Sequence, residues 1–422
     1  MIFWTIIAAI ALFGFMSVGH WTSKSWFYPP VLYSAYWAII LITCSVTHIW
    51  SYELSTSSIL VFVAGCAAFL IAGLLATSWL RFWKSETQLS PGRRSFMHRW
   101  IRVGSLVVLF AVPGFIFNVN QVADTYGISS FAVASHYALS RDDRLGIPRF
   151  FLSSSAVGMA LAYCAAWLYE GRKRDMITLL IALIGPLLLT VLSFSRTATY
   201  TLLVGTVGIM SVRGFLRKGR LVLLVVGALS LSMVMGAFLD KLPGFEWGVK
   251  GLAAVAESLA TYFIGGPLGF AQVMDRPSLV GEFGLSLRFF TQTFNSFGGD
   301  LVLPSNILGY VRSDLGNVYT IYFAYWLDGS WLGILIMAFI AGLLCTVVYE
   351  FTLRGNPVAG CAWGLVISSL LNSATGDGLF GSAMPWLVLL SAALFLWRIP
   401  LGHSTGIHNA KSTLKQPQKR TP

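Results

Sequence analysis

The sequence predicts an all-α fold, a polytopic transmembrane helical bundle of about 11 spans. Two observations carry this. Of the 422 residues, 56% are hydrophobic and only 11% charged, where a soluble chain carries about 25% charge. The apolar residues also arrive in long blocks, with a mean hydropathy of +0.72, and a hydrocarbon core of roughly 30 Å needs about 20 helical residues to cross. Such blocks are helices because lipid offers the backbone no hydrogen-bond partner. A cytosolic enzyme, a secreted disulfide scaffold and a nucleic-acid-binding domain are all excluded.

The first span, residues 1–18, opens MIFWTIIAAI without a preceding basic residue or an A-x-A site, so it is expected to stay in the mature protein. Further spans fall at 28–50, 58–80, 103–120, 151–170, 176–195, 197–212, 221–239, 331–349, 357–373 and 379–397. Residues 1–401 therefore read as one transmembrane domain. The polar, basic stretch 402–422 reads as a disordered cytoplasmic tail. Residues 81–102 are basic and carry Trp83, Phe96 and Trp100, a composition suited to anionic headgroups and so to membrane lipids as partners. Cys44, Cys66, Cys164, Cys345 and Cys361 sit inside apolar runs without a CxxC pair and read as small buried residues. The six histidines are scattered, so no metal site and no cofactor is expected.

Orientation follows the basic residues. With the N-terminus periplasmic and the C-terminus cytoplasmic, 20 of the 29 lysines and arginines lie inside and thirteen of the seventeen acids lie outside. The net charge of +12 is then mainly a topology signal, and no nucleic-acid partner is implied. The bias explains inner arginines and leaves nine outer bases to account for. Arg141, Arg144 and Arg149 lie in 121–150, Arg196 at a hairpin tip, and Lys241, Lys250, Arg276, Arg288 and Arg312 in the long outer segment 240–330. That segment is rich in aromatics and glycine. Its pieces 257–274 and 285–297 are expected to form short helices in the interface or re-entering from the outer face, with a bend at Gly265, Gly266 and Pro267.

Arg196 sits in the middle of LLLTVLSFSRTATYTLLVG, between two apolar runs, and a charge held at that depth is a functional signal. The alternative is a guanidinium that snorkels to headgroups. Ser193, Ser195 and Thr197 flank it and either share an anionic ligand or cap the backbone. A second cluster holds His136, Arg141, Asp142, Asp143, Arg144 and Arg149, readable as function or as a solvated loop with internal Arg–Asp pairs. A third holds Arg276, Glu282, Arg288, Arg312 and Asp314. Planar arginine forks suit phosphate oxygens, so several converging on one cavity would make a diphosphate site.

The SFSR hairpin resembles that of O-antigen polymerases and ligases. LATYFIGGPLGFAQVM followed by LGNVYTIYFAYWLDGSWLGILIMAFIAGLL resembles the oligosaccharide repeat-unit polymerases (Wzy-type), over roughly 176–350. One departure is that Arg196 is followed by Gly205 and Gly208, nine and twelve residues later, and not by the R-x10-G pattern of some members. The resemblance implies a GT-C-like, metal-independent glycosyltransferase of a bacterial inner membrane. It would transfer a polyprenyl-diphosphate-linked oligosaccharide to another lipid-linked repeat at the periplasmic face, in O-antigen or similar exopolysaccharide and lipopolysaccharide biosynthesis. A chain-length regulator and a flippase would be its protein partners.

Arginines can stabilise the diphosphate leaving group without a metal. On this reading Arg196 with Arg276, Arg288 and Arg312, and further out Arg141 and Arg144, binds the diphosphate. Glu282, Asp314 or His136 accepts the proton of the attacking hydroxyl. Asn317, Tyr319, Tyr322 and Asp328 line the sugar path, unless the tyrosines are interfacial anchors. A lipid-glycan ligase and a transporter of lipid-linked sugars remain the alternatives.

Overall fold

A computed structural model describes residues 2–46, 54–82, 91–140, 149–216, 263–274, 320–381 and 384–398, together with isolated residues 227, 231, 286, 291, 294, 295 and 298. The described residues are helical, with no strand among them. The helices are α1 (Ile2–Ser23), α2 (Pro29–Val46), α3 (Thr56–Leu80), α4 (Pro91–Tyr126), α5 (Phe131–Ser140) and α6 (Arg149–Leu168). They continue with α7 (Lys173–Leu192), α8 (Arg196–Val212), α9 (Phe263–Met274), α10 (Ile321–Leu353), α11 (Pro357–Leu370) and α12 (Met384–Arg398). The tail 402–422 lies outside the described residues.

Five of these helices, α1, α3, α4, α7 and α10, are long and apolar enough to cross a membrane. The described residues are therefore all-helical, with five helices long and apolar enough to cross a membrane, and the count of eleven spans is not established. The expected spans at 28–50, 197–212, 357–373 and 379–397 correspond to α2, α8, α11 and α12, of 14 to 18 residues, and that at 151–170 to α6, whose apolar stretch is Ser154–Leu168. The 14 residues of α11 rise only about 21 Å at 1.5 Å per residue. The expected span 221–239 falls outside the described residues apart from 227 and 231.

Helices pack closely where small residues permit it, since lipid supplies no hydrophobic drive between them. α8 lies on α11, α3 on α10, α1 on α2, and α7 on both α4 and α6. Gly205 of α8 faces the Tyr163 hydroxyl of α6 and the Gly364 carbonyl of α11 so tightly that a Cβ would collide with both. Tyr163 in turn donates to the Thr201 carbonyl at 2.6 Å, tying α6 to α8.

The turns sort to two ends. At one, Arg94 of α4 pairs with Glu170 and, at 3.2 Å, with Asp175. Arg102 donates to the Arg174 carbonyl and Arg213 to the Tyr169 carbonyl, each at 3.1 Å. Arg354 reaches the Leu80 carbonyl at 2.6 Å. Arg354 and Arg213 thereby close carbonyls at the C-terminal ends of α3 and α6, where cations are favoured. At the other end, Ser135 of α5 donates to the Leu192 carbonyl at 3.0 Å, Tyr200 to the Leu371 carbonyl at 3.1 Å, and the Ile321 amide to the Ser373 carbonyl at 2.7 Å.

α10 is broken near this second end. Gly329 and Ser330 leave helical geometry, Ser330 with φ 52° and ψ −135°, so residues 321–328 form a short aromatic helix ahead of the long one. α9 is buried nearly all round, from Ile264 to Ala271 and at Val273. Such burial fits an inserted helix and not an interfacial one, whose polar face would meet water. The expected bend at Gly265, Gly266 and Pro267 is not seen: α9 runs unbroken from Phe263 to Met274. Gly266 there meets the Ala374 carbonyl, leaving no room for a side chain.

Candidate functional site

The α7–α8 connection is as tight as expected. The Ser195 amide donates to the Thr190 carbonyl at 3.1 Å and the Phe194 amide to Val191 at 2.9 Å, a Schellman arrangement. Its left-handed position, normally glycine, is Phe194 with φ 51°. α8 then starts at Arg196, half-buried. A cation at a helix N-terminus opposes the macrodipole, at a cost of roughly 0.3–1 kcal/mol. Helix stability therefore does not account for this arginine.

Beside the turn is a cavity of about 410 Å³. α6 supplies Ser155 and Met159, α7 Pro186 and Thr190, the turn Ser195, and α8 Thr197 and Thr201. α11 adds Ser368 and Ser369, and the loop that follows adds Asn372, Thr375 and Asp377. Most of its exposed surface is apolar, with hydroxyl and amide side chains set among the apolar ones. Thr190 and Ser368 donate their protons to backbone carbonyls three or four residues back. Their oxygens therefore remain as acceptors. A wall of acceptors suits a ligand rich in hydroxyl donors.

Asp377 is the one carboxylate among the described residues that line the cavity. Its Oδ1 accepts the Leu379 amide at 2.9 Å and the Phe380 amide at 3.0 Å, which fixes the 376–381 turn. Oδ2 is buried without a hydrogen-bond partner among the described residues. It sits against the aromatic core, whose Tyr325 hydroxyl interacts with the Asp377 carboxyl. Burial pushes the carboxyl up to about 6, against the opposing pull of the Phe380 and Leu379 amides and the Tyr325 hydroxyl. A group poised there can take up or release a proton near neutral pH.

The other expected site residues fall as follows. Arg141, Arg144, Arg276, Glu282, Arg288, Arg312, Asp314, Asn317 and Tyr319 lie outside the described residues. The backbone of His136 is in α5, next to Ser135 and so close to the α7–α8 turn, but its side chain is outside the described set. Tyr322 does not line the cavity. It is fully buried between Trp37 at 5.1 Å and Phe62 at 5.6 Å, with its hydroxyl 3.8 Å from the Cys66 sulfur. Its ring is core packing of α10 against α2 and α3. Asp328 sits at the α10 break and accepts the Ser286 amide at 2.8 Å, a backbone role away from the cavity.

Asp377 was not singled out from the sequence. The available signal was the polar run NSATGDG between two apolar spans, with a lone acid inside it. Among the described residues no group of three or more His, Cys, Asp or Glu is placed to hold a metal ion. No protein-family model, curated protein or solved structure matches the chain.

Proposed function

We propose that this protein polymerises lipid-linked oligosaccharide repeat units at the outer face of a bacterial inner membrane. The observation that carries the reading is a cavity lined in part by hydroxyl side chains, among them Ser195 and Thr197 on either side of Arg196 in sequence, at the end of the bundle opposite the Arg94, Arg102, Arg213 and Arg354 cluster. With that basic cluster facing the cytoplasm, the cavity opens outward.

The chemistry follows from the donor set. A glycosyl diphosphate carries its own leaving group, and on this reading the guanidinium of Arg196, whose neighbours Ser195 and Thr197 line the cavity, stabilises the charge that develops on it. The acceptor oxygens of Thr190 and Ser368 orient the sugars. The attacking hydroxyl oxygen forms a bond to the anomeric carbon while the bond from that carbon to the diphosphate oxygen breaks, its electron pair leaving with the diphosphate. Asp377 accepts the hydroxyl proton, the role that Glu282, Asp314 and His136 were expected to fill. Arg196, rather than a lysine, suits the task because its planar fork contacts two phosphate oxygens at once.

The test is surface-glycan chain length in a strain lacking this gene. Wild type restores long chains, and Arg196→Ala, present at normal membrane level, leaves single repeat units attached. Long chains that form but stay on their lipid carrier identify a ligase, and repeats that never reach the outer face identify a transporter. Either result displaces the polymerase reading.

A further inference from the structure

Two buried oxygens beside the cavity lack a hydrogen-bond partner among the described residues, Asp377 Oδ2 and the Tyr325 hydroxyl. Tyr325 is fully buried in the short aromatic helix 321–328. A phenylalanine ring would pack there as well, and a buried hydroxyl without a partner costs free energy. Packing therefore does not account for the hydroxyl. The group with which it interacts is the Asp377 carboxyl.

Two contacts hold the short helix against the loop that carries Asp377. The Ile321 amide donates to the Ser373 carbonyl at 2.7 Å. One helical turn further along, on the same face, the Tyr325 ring lies 6.4 Å from that of Phe380, whose amide holds Asp377 Oδ1. On its other side the helix breaks at Gly329 and Ser330, and the Tyr325 carbonyl packs so closely on Gly333 beyond the break that a Cβ there would collide with it. Tyr325 is thus fixed from both sides. The Leu379 and Phe380 amides take Oδ1 and leave Oδ2 for the phenol. Catalytic hydrogen bonds are often long in the free protein and tighten when the site fills.

We infer that Tyr325 is the positioning residue of Asp377: its hydroxyl donates to Oδ2 and holds the carboxylate in the orientation that faces the cavity. This rests on the role proposed above for Asp377, and it names what α10 contributes to that role. A hydrogen bond to the charged form favours that form, so Tyr325 works against the burial that raises the carboxyl to about 6 and keeps it ready as a base at neutral pH. Tyr33 of α2 and Cys345 of α10 also interact with Asp377, through space and without a hydrogen bond. On the cavity side a charged residue, Arg196, stands between the lining residues Ser195 and Thr197.

The experiment reads the titration of Asp377 without any glycan. The full chain in nanodiscs is treated with dicyclohexylcarbodiimide, which modifies buried carboxyls in their protonated form, and the label on Asp377 is quantified by peptide mass mapping from about pH 4 to about pH 8. Wild-type labelling should fall with a midpoint near pH 6. Tyr325→Phe, which keeps the ring, should move that midpoint up by about one pH unit. Fluorotyrosine at 325, a stronger donor in the same place, should move it down, a readout that packing alone would not shift. Tyr322→Phe is the control: it is as deeply buried in the same short helix, but its hydroxyl faces the Cys66 sulfur at 3.8 Å, and the midpoint should stay. A midpoint unmoved by Tyr325→Phe or by fluorotyrosine, an equal move in Tyr322→Phe, or no label on Asp377 at any pH overturns the inference. In a chain that polymerises, Tyr325→Phe should carry the same shift into the acid limb and lower kcat severalfold with KM unchanged. A chain that makes no polymer yet shows the shift refutes the polymerase reading alone, and a working polymerase whose Asp377 titrates alike with and without the Tyr325 hydroxyl refutes this inference alone.

Discussion

Asp377 and Arg196 are opposite cases of one principle, that a charged group in an apolar setting needs a reason. Arg196 stands where the helix dipole opposes it, and Asp377 where burial raises its pKa to about 6. The sign of the second effect is definite. Below about pH 6 the folded carboxyl is protonated and cannot accept a proton. Activity should therefore rise with pH through about 6 and level off above it. The unfolded carboxyl ionises at a lower pH, so ionisation favours unfolding, and this group's stabilising contribution is lost as pH climbs towards 6. Asp377→Asn keeps an oxygen for the Leu379 and Phe380 amides and should leave the fold intact. Turnover should fall about 10²–10⁴-fold, the usual contribution of a positioned base, and the acid limb of the pH–rate profile should vanish. Asp377→Glu should recover part of the rate with a displaced limb. An unchanged limb in Asp377→Asn would make the residue a turn former only.

Among the elements, two local rules are broken in informative ways. Ser330 adopts a left-handed φ of 52° at the α10 break, a strain of about 1–3 kcal/mol. Glycine at that position would add roughly 0.4–1 kcal/mol of unfolded-state entropy, so Ser330→Gly should stabilise the fold by about 1 kcal/mol in thermal unfolding. Gly205 is the reverse case, because its missing Cβ is what allows α8 to touch Tyr163 and Gly364. Gly205→Val should destabilise by about 1–3 kcal/mol and loosen the cavity wall carried by Thr197 and Thr201.

Helix positions were largely legible, because apolar length is written directly in composition. Their ends were less so. α4 starts at Pro91, twelve residues before the expected apolar span, because Arg94 and Arg102 anchor its polar first turns to the α6–α7 connection. Tertiary ion pairs of that kind leave no periodicity to read. The break inside α10 was visible as an Asp-Gly turn. The burial of α9 was not, since its apolar character fits an interfacial helix equally well.

At the scale of the whole molecule, the division into a basic end and a hydroxyl-lined end makes topology testable. Thr197→Cys, exposed beside Arg196, should react with a membrane-impermeant maleimide added outside intact inner-membrane vesicles of right-side-out orientation. Arg172→Cys, exposed at the basic end, should react only after the vesicles are opened. The reverse pattern would turn the cavity to the cytoplasm and remove the periplasmic reaction. The cavity itself was only half legible. Arg196 and its serines stood out because a charge interrupts a hydrophobic run, whereas Asp377 reaches the same space from a loop some 180 residues away, a convergence created by packing α8 on α11.

The most direct measurement is polymerisation by the purified full chain in liposomes, supplied with lipid-linked repeat units and followed by product length across pH. Wild type should extend chains at a rate that rises through about pH 6, and neither Arg196→Ala nor Asp377→Asn should extend them appreciably. Long chains from either variant at the wild-type rate would contradict the assignment of this cavity as the catalytic site.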